Sequence, residues 1–384
     1  MRAILNLGFR PFYSLAALFA VIAVAMWLVS FTGMAQFGGQ LQGVLWHSHE
    51  MVFGFIPAVI AGFLFTAVRN WTGMPTPTGW TLGVVALVWL VARVLLVSGP
   101  DEPGVMLDVL FLPFVTISVA IPIFRSANQR NYKVVAIVAA MAVLHFVYHL
   151  ALGGEIPAWL SRASLFAVID ITAILFAVVG GRVIPAFTGN AVPGSNPVHV
   201  KWVEVFAFGS LLLLAMASLV SGGLALPAWL PISLAFIAAA SHAVRLAYWQ
   251  PGVTRNNPLL WMMPVAYSWL PIALLLRGLS GLGSVFPGSW IHALTAGALT
   301  SLMVAMMMRS TLGHTGRKLE ASRADVIVFL LLQLAVILRV LAGVVADYRT
   351  MTIVAGMVWI VAFAGFFVRY APMLLKARVD GKPG

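Results

Sequence analysis

Cysteine is absent from this chain of 384 residues. Its absence excludes disulfides, iron–sulfur clusters, thiolate metal sites and covalently attached c-type haem. Any metal held here is bound by histidine, methionine, carboxylate or backbone oxygen. Charge is scarce as well. Asp, Glu, Lys and Arg make up 9% of the residues, where a soluble domain carries about 25%. So few charges cannot cover a water-facing surface. No long polar block interrupts the chain, so residues 1–384 read as a single polytopic transmembrane domain.

Apolar residues fill the rest: 61% of the chain is hydrophobic and the mean hydropathy is +1.00. About 20 apolar residues cross a bilayer as a helix. Twelve segments qualify: 11–32, 47–69, 79–98, 104–125, 131–153, 163–188, 201–221, 227–249, 258–280, 289–310, 323–346 and 351–375. Turn residues separate them, among them Gly99, Pro100 and Pro103, Gly153 and Gly154, and Pro287 and Gly288. The expected class is an all-α membrane protein of about twelve transmembrane helices. The first segment is too long for a signal-peptide core and is followed by more spans, so it reads as a retained helix.

Positive charge is distributed unevenly. Eighteen of the 23 Lys and Arg, from Arg2 to Lys382, fall on the side of the N-terminus. Only Arg162, Arg277 and Arg349 fall on the other, and Arg93 and Arg339 lie inside spans. The positive-inside rule then puts both termini in the cytoplasm. It also accounts for the net charge of +12. Those cations face anionic membrane lipid, and no nucleic-acid partner is needed. A weak threefold repeat of four helices is conceivable, since Arg69, Arg182 and Arg309 each precede a Thr-Gly pair near the end of the second, sixth and tenth segments.

Ionisable groups inside a membrane are costly and mark candidate sites. The topology sorts the eight histidines. His47 and His49, His145 and His149, and His292 fall in one outer layer. His199, His242 and His314 fall on the cytoplasmic side. His145 and His149 are four apart and project from one helix face, so both can reach one metal ion. His47 and His49 are two apart, roughly 200° around a regular helix, and point to different neighbours. Glu50 shares a face with His47 and is expected to orient it or to carry protons, a catalytic role. Five histidines in one layer, without any cysteine, favour a metal or haem site over hydrated interfacial residues. Asp108, Asp170, Arg93 and Arg339, all within spans, read as ion pairs more readily than as a proton path. Arg69, Arg182, Asn190 and Arg317 are cytoplasmic groups able to hold anions such as haem propionates, or lipid headgroups.

The stretches GFRPFYSLAALFA, WHSHEMVFGF, AGFLFTAVRNWTG, GGRVIPAFTGN and HALTAGALTSLMVAMMMRSTLGHTGRKL resemble the NnrS family along nearly the whole chain. The first and last stretches are the most specific. The resemblance implies a twelve-helix protein of the bacterial inner (cytoplasmic) membrane that contains haem b and copper. It implies a role in nitric oxide metabolism and nitrosative-stress resistance. It further implies that His47, His49, His292, His314, His242 and His149 are the family's histidines, with His145 a local addition. Pro264 stands where family members often carry another histidine. A looser likeness to haem–copper oxidases rests on twelve helices and a His-X-His that serves two centres, and it is analogy only.

The expected function is therefore a membrane haem and copper protein that binds nitric oxide and reduces it, as a nitric oxide reductase-type oxidoreductase would. The sequence names no electron donor. Two rivals stand beside it. One is a transporter of metal, haem or a small anion, suggested by proline-broken spans. The other is a haem-based sensor that binds nitric oxide without turnover.

Overall fold

The computed structural model describes residues 3–39, 41–98 and 101–382. Arg2, Gly99 and Pro100 lie outside the described residues. Among the described residues, twelve helices are long and apolar enough to cross a membrane. They are α1 (Phe9–Phe31), α2 (Val44–Thr72), α3 (Gly79–Ser98), α4 (Asp101–Arg125), α5 (Gln129–Leu152) and α6 (Trp159–Ala191). There follow α7 (Lys201–Val220), α8 (Trp229–Tyr248), α9 (Pro258–Gly281), α10 (Pro287–His314), α11 (Arg323–Val344) and α12 (Tyr348–Leu375). No strand occurs among the described residues. The protein is an all-α, multi-pass membrane protein, and each expected segment coincides with one helix. An all-helical build satisfies every backbone group within its own helix, as hydrocarbon requires.

The chain divides into two compact units. Unit 1 comprises Met1–Ser161, Ser310–Lys318 and Phe363–Gly384, and unit 2 comprises Arg162–Arg309 and Leu319–Ala362. In unit 1, α2 packs on α1 and α4, and α4 packs on α3 and α5. The apolar window of α2 is 89% buried, against 33% for α3 and α4. Hence α2 is the core helix, and α3 and α4 turn Leu87, Val94, Phe114 and Ile117 outward. In unit 2, α8 packs on α7 and α9, and α10 packs on α9 and α11. Its most enclosed helix is α10, with 72% of its window buried.

Helix ends follow local chemistry. The Ser322 hydroxyl accepts from the Asp325 backbone N–H while the Asp325 carboxylate accepts from the Ser322 N–H, a reciprocal cap that starts α11. Gly73 ends α2 with φ +67°, and Gly316 follows α10 with φ +76°. Only glycine adopts such angles without strain. Gly189, the third glycine of the Thr-Gly pattern, lies inside α6 instead. The pattern therefore marks helix ends at two of its three positions.

Candidate metal centre

The centre lies in unit 1 and begins with the stretch WHSHEMVFGF. Val44–His49 is α-helical, and at Glu50 the helix widens to a π-helix that runs to Phe55. Pro57 follows two residues later. Proline has no N–H to donate back to the preceding turn, so the turn before it is free to relax. Such π segments recur at functional sites.

The His49 Nδ1–H donates to Glu50 Oε1 at 2.9 Å. Glu50 therefore orients His49. The expectation that it orients His47 is corrected: at the end of the α-helical turn Val44–His49, the Glu50 carboxylate turns to the adjacent His49 ring and to Arg93 of α3. Arg93 of α3 donates from Nη1 to both Glu50 carboxylate oxygens, at 2.9 and 3.0 Å. Its Nη2 donates to Asp108 Oδ1 of α4. Gly54 permits this approach: a Cβ there would stand 2.8 Å from Arg93 Nη1. The expected ion pairing is thus present for Arg93 and Asp108. Asp170, by contrast, pairs with Arg277, and Arg339 donates to the Tyr348 hydroxyl.

Asp108 turns its other oxygen, Oδ2, toward three imidazoles. It lies 3.0 Å from His49 Nε2, 3.0 Å from His145 Nε2 and 3.2 Å from His149 Nε2. His49 Nε2 and His149 Nε2 are themselves 3.2 Å apart. Four donor atoms, all within 4.8 Å of one another, form a group able to hold a metal ion. The tautomer of His49 strengthens this reading. Glu50, ionised beside Arg93, can only accept a hydrogen bond, so in a neutral ring the proton sits on Nδ1. Nε2 then presents a lone pair to a carboxylate oxygen and to another imidazole. That contact is repulsive unless a proton or a metal ion lies between them.

The dimensions fit. Metal–nitrogen bonds of about 2.0–2.1 Å place tetrahedral ligand atoms about 3.3 Å apart, close to the four observed separations. Imidazole suits copper, zinc, iron and nickel, and carboxylate adds no preference for a soft ion. The second layer is built as well. The Phe53 ring stacks on His145 with centroids 4.2 Å apart and planes 8° from parallel. The Tyr148 ring lies 5.5 Å from that of His49, and its buried hydroxyl has no hydrogen-bond partner among the described residues. A pocket of about 340 Å³ reaches His149 between Leu41, Leu96, Val105, Met106 and Leu152, with Asp101 and Glu102 in its wall.

The sequence profile of the NnrS protein family matches residues 3–378. The chain belongs to the NnrS family. No curated protein matches it.

The remaining candidate residues of this NnrS-family chain lie outside the group of four. His47 stacks on Trp27 of α1, with centroids 4.7 Å apart and planes at 20°. The two-residue spacing does send His47 and His49 to different neighbours, and that of His47 is an indole ring. His292 lies in unit 2, where its Nδ1–H donates to the Gly288 carbonyl at 2.8 Å. The expected outer layer of five histidines thus resolves into a group of three with Asp108, and two placed elsewhere. His242 accepts at Nδ1 from the Tyr267 hydroxyl at 2.7 Å, and Arg245 donates to the same oxygen. The His314 ring packs 5.5 Å from Phe9. Arg69 and Asn190 are exposed, and Arg182 and Arg317 are half-buried. Arg69 and Arg317 belong to unit 1, Arg182 and Asn190 to unit 2.

Sequence reasoning left three members of the centre unassigned to it: Asp108 as a donor, Arg93 as the brace between two carboxylates, and Tyr148. A signal existed for Asp108. It is one of few acids within a span, in the segment that precedes the His145/His149 pair, and sequential helices usually pack together.

Proposed function

We propose that this protein holds a copper ion at His49, His145, His149 and Asp108 and uses it on nitric oxide in the bacterial inner membrane. The observation that carries the metal is the convergence of His49, His145 and His149 Nε2 on one oxygen, Asp108 Oδ2, at 3.0, 3.0 and 3.2 Å. Copper is preferred to other imidazole-loving ions because membership of the NnrS family brings it, as does the role in nitric oxide metabolism and nitrosative-stress resistance. Bound there, copper would supply a one-electron centre that takes a diatomic ligand. The chain's own part is definable. Glu50 fixes the His49 tautomer, and Arg93 bridges Glu50 and Asp108, its single charge offsetting one of the two. Phe53 and the apolar pocket wall keep bulk water from the donors. The Tyr148 hydroxyl is a hydrogen-bond donor left for a small ligand.

Haem b finds suitable donor chemistry at His292. Its Nδ1–H donates to the Gly288 carbonyl, the kind of contact that fixes the tautomer of a ligating imidazole. Reducing two nitric oxide molecules to nitrous oxide and water consumes two electrons and two protons, delivered by a donor outside this chain.

The test is metal analysis and optical spectroscopy of the purified full-length protein, followed by anaerobic turnover with nitric oxide and a reductant. One copper per chain, lost in a His145→Ala/His149→Ala double variant, is expected, together with nitrous oxide production above a copper-depleted control. A copper content that the double variant leaves unchanged sinks the assignment. A second reading, a metal carrier, is favoured by the acidic wall of the pocket at Asp101 and Glu102. It predicts an ion that exchanges during desalting, where a resident centre retains it.

A further inference from the structure

The GFRPF stretch at the start of α1 takes no part in the metal centre. Its Arg10 is fully buried. The Nη1 group donates to the carbonyls of Leu374, at 2.9 Å, and Lys376, at 2.6 Å, and so closes the C-terminal end of α12. Nε and Nη2 of the same guanidinium have no hydrogen-bond partner among the described residues. Beyond these carbonyls, Arg10 packs on the Phe9 ring, 5.4 Å from its centroid.

Arg317 and Arg378 lie close enough for their charges to act on Arg10. Arg378 donates to the His314 carbonyl at 3.0 Å and grips Asp380 with two hydrogen bonds, of 2.9 and 2.6 Å. Asp380 rests over Gly316, where a Cβ would come within 2.7 Å of its carboxyl carbon. Hydrogen bonding to Arg378 holds the Asp380 carboxyl down at about 2. It is therefore ionised throughout the physiological range, and Arg378 uses it. Among the described residues, Arg317 donates to the Thr315 carbonyl, at 3.4 Å. Three guanidinium groups thus share one carboxylate among the described residues. A buried guanidinium with idle donors and no counter-charge is costly, and the cost disappears when an acceptor anion joins it. Guanidinium forks match phosphate and carboxylate oxygens in pairs. The cluster sits where α1 begins and where α10 and α12 end, at the edge of the apolar spans, and lipid phosphates lie at that depth.

We propose that Arg10, Arg317 and Arg378 form a binding site for a phosphate group, carried by an anionic lipid or by free phosphate. Arg10 is its floor, and the half-buried Arg317 and Arg378 are its rim.

Thermal unfolding of the delipidated full-length protein in detergent tests this. The probes are inorganic phosphate, phosphatidylglycerol, and sodium chloride at matched ionic strength. Phosphate or phosphatidylglycerol should raise the Tm saturably, and chloride should not. A response to phosphatidylglycerol alone identifies the lipid, and a response to inorganic phosphate identifies the free ion. Arg317→Gln should raise the half-effective concentration by about tenfold, as expected for one lost charge-assisted hydrogen bond. Arg125→Gln, an exposed cation of the same unit, should behave as the wild type. Arg10→Lys, which keeps the charge but loses the fork, is a second variant should Arg317→Gln fold poorly, and the same loss of affinity is expected of it. The proposal is overturned if neither probe exceeds chloride, or if the variants respond as the wild type does.

Discussion

Two helices of this protein widen into a π turn immediately beyond a histidine: α2 after His49, and α10 after His292. The backbone device is the same and the lining differs. In unit 1 the π segment faces ions. Glu50 lies on it, Arg93 touches its Gly54, and Asp108 and three imidazoles complete the group. In unit 2 the π segment faces neutral amides and hydroxyls. Gly297 lets the Trp269 ring come within 2.8 Å of its Cβ position, Trp269 donates to Gln333, and Gln333 donates to Ser301. Thr300 and Ser301 satisfy the widened turn by bonding carbonyls five residues back. Unit 2 has a buried and a half-buried carboxylate too, but arginine takes them up: Asp170 by Arg277, and Glu204 by Arg245. A π turn next to a histidine therefore does not make a metal centre. What makes one is a carboxylate that arginine occupies on one oxygen and leaves open to imidazoles on the other.

Removing that carboxylate should have the largest effect. Asp108→Ala should abolish stoichiometric metal binding and destabilise the protein by about 3–5 kcal/mol, because Arg93 keeps its buried charge and loses half its partners. Asp170→Ala breaks the comparable pair in unit 2, where the Arg277 side chain is 14% exposed. It should cost less stability and leave the metal content unchanged, as metal analysis of the two purified variants would show. Equal metal loss in both would erase the distinction between the units.

Glu50→Gln is next. Partners that orient a ligating histidine contribute about 10–100-fold in metal affinity, and competition with a chelator of known strength reads this directly. His292→Ala should leave that affinity unaltered and, with haem held at His292 as proposed, change the optical spectrum. A chelator titration in which His292→Ala empties the metal site would join what is separated here.

A matched pair of glycine substitutions sharpens the comparison further. Gly54→Ala pushes a methyl against Arg93 Nη1, and Gly297→Ala pushes one against Trp269. Each should cost about 1–3 kcal/mol in thermal unfolding, the usual range for overpacking. Only the first should also weaken metal binding. The smallest effect is expected of Phe53→Leu, which removes an aromatic stack worth about 1 kcal/mol. Metal affinity should fall less than tenfold, and a larger fall would make Phe53 more than a wall.

Much of this protein was legible in the sequence. The twelve helices follow from apolar length, since a run of about 20 such residues has few alternatives in hydrocarbon. Membership of the NnrS family was legible in short stretches such as GFRPF and WHSHE. The His145/His149 pair follows from four-residue spacing on one helix face. What could not be read is equally specific. That Glu50 serves His49 depends on where Arg93 of the neighbouring helix holds its carboxylate, and periodicity gives a residue's face but not its rotamer. That Asp108 joins the histidines depends on how α2, α4 and α5 pack, and a sequence gives the faces of helices but not their mutual rotation. The vacant donors of Arg10 emerge only when the ends of α1, α10 and α12 meet. Local chemistry fixed the elements, because each helix satisfies its own backbone. Tertiary packing chose the partners of the buried charges, because in a medium without water each must find one across helices.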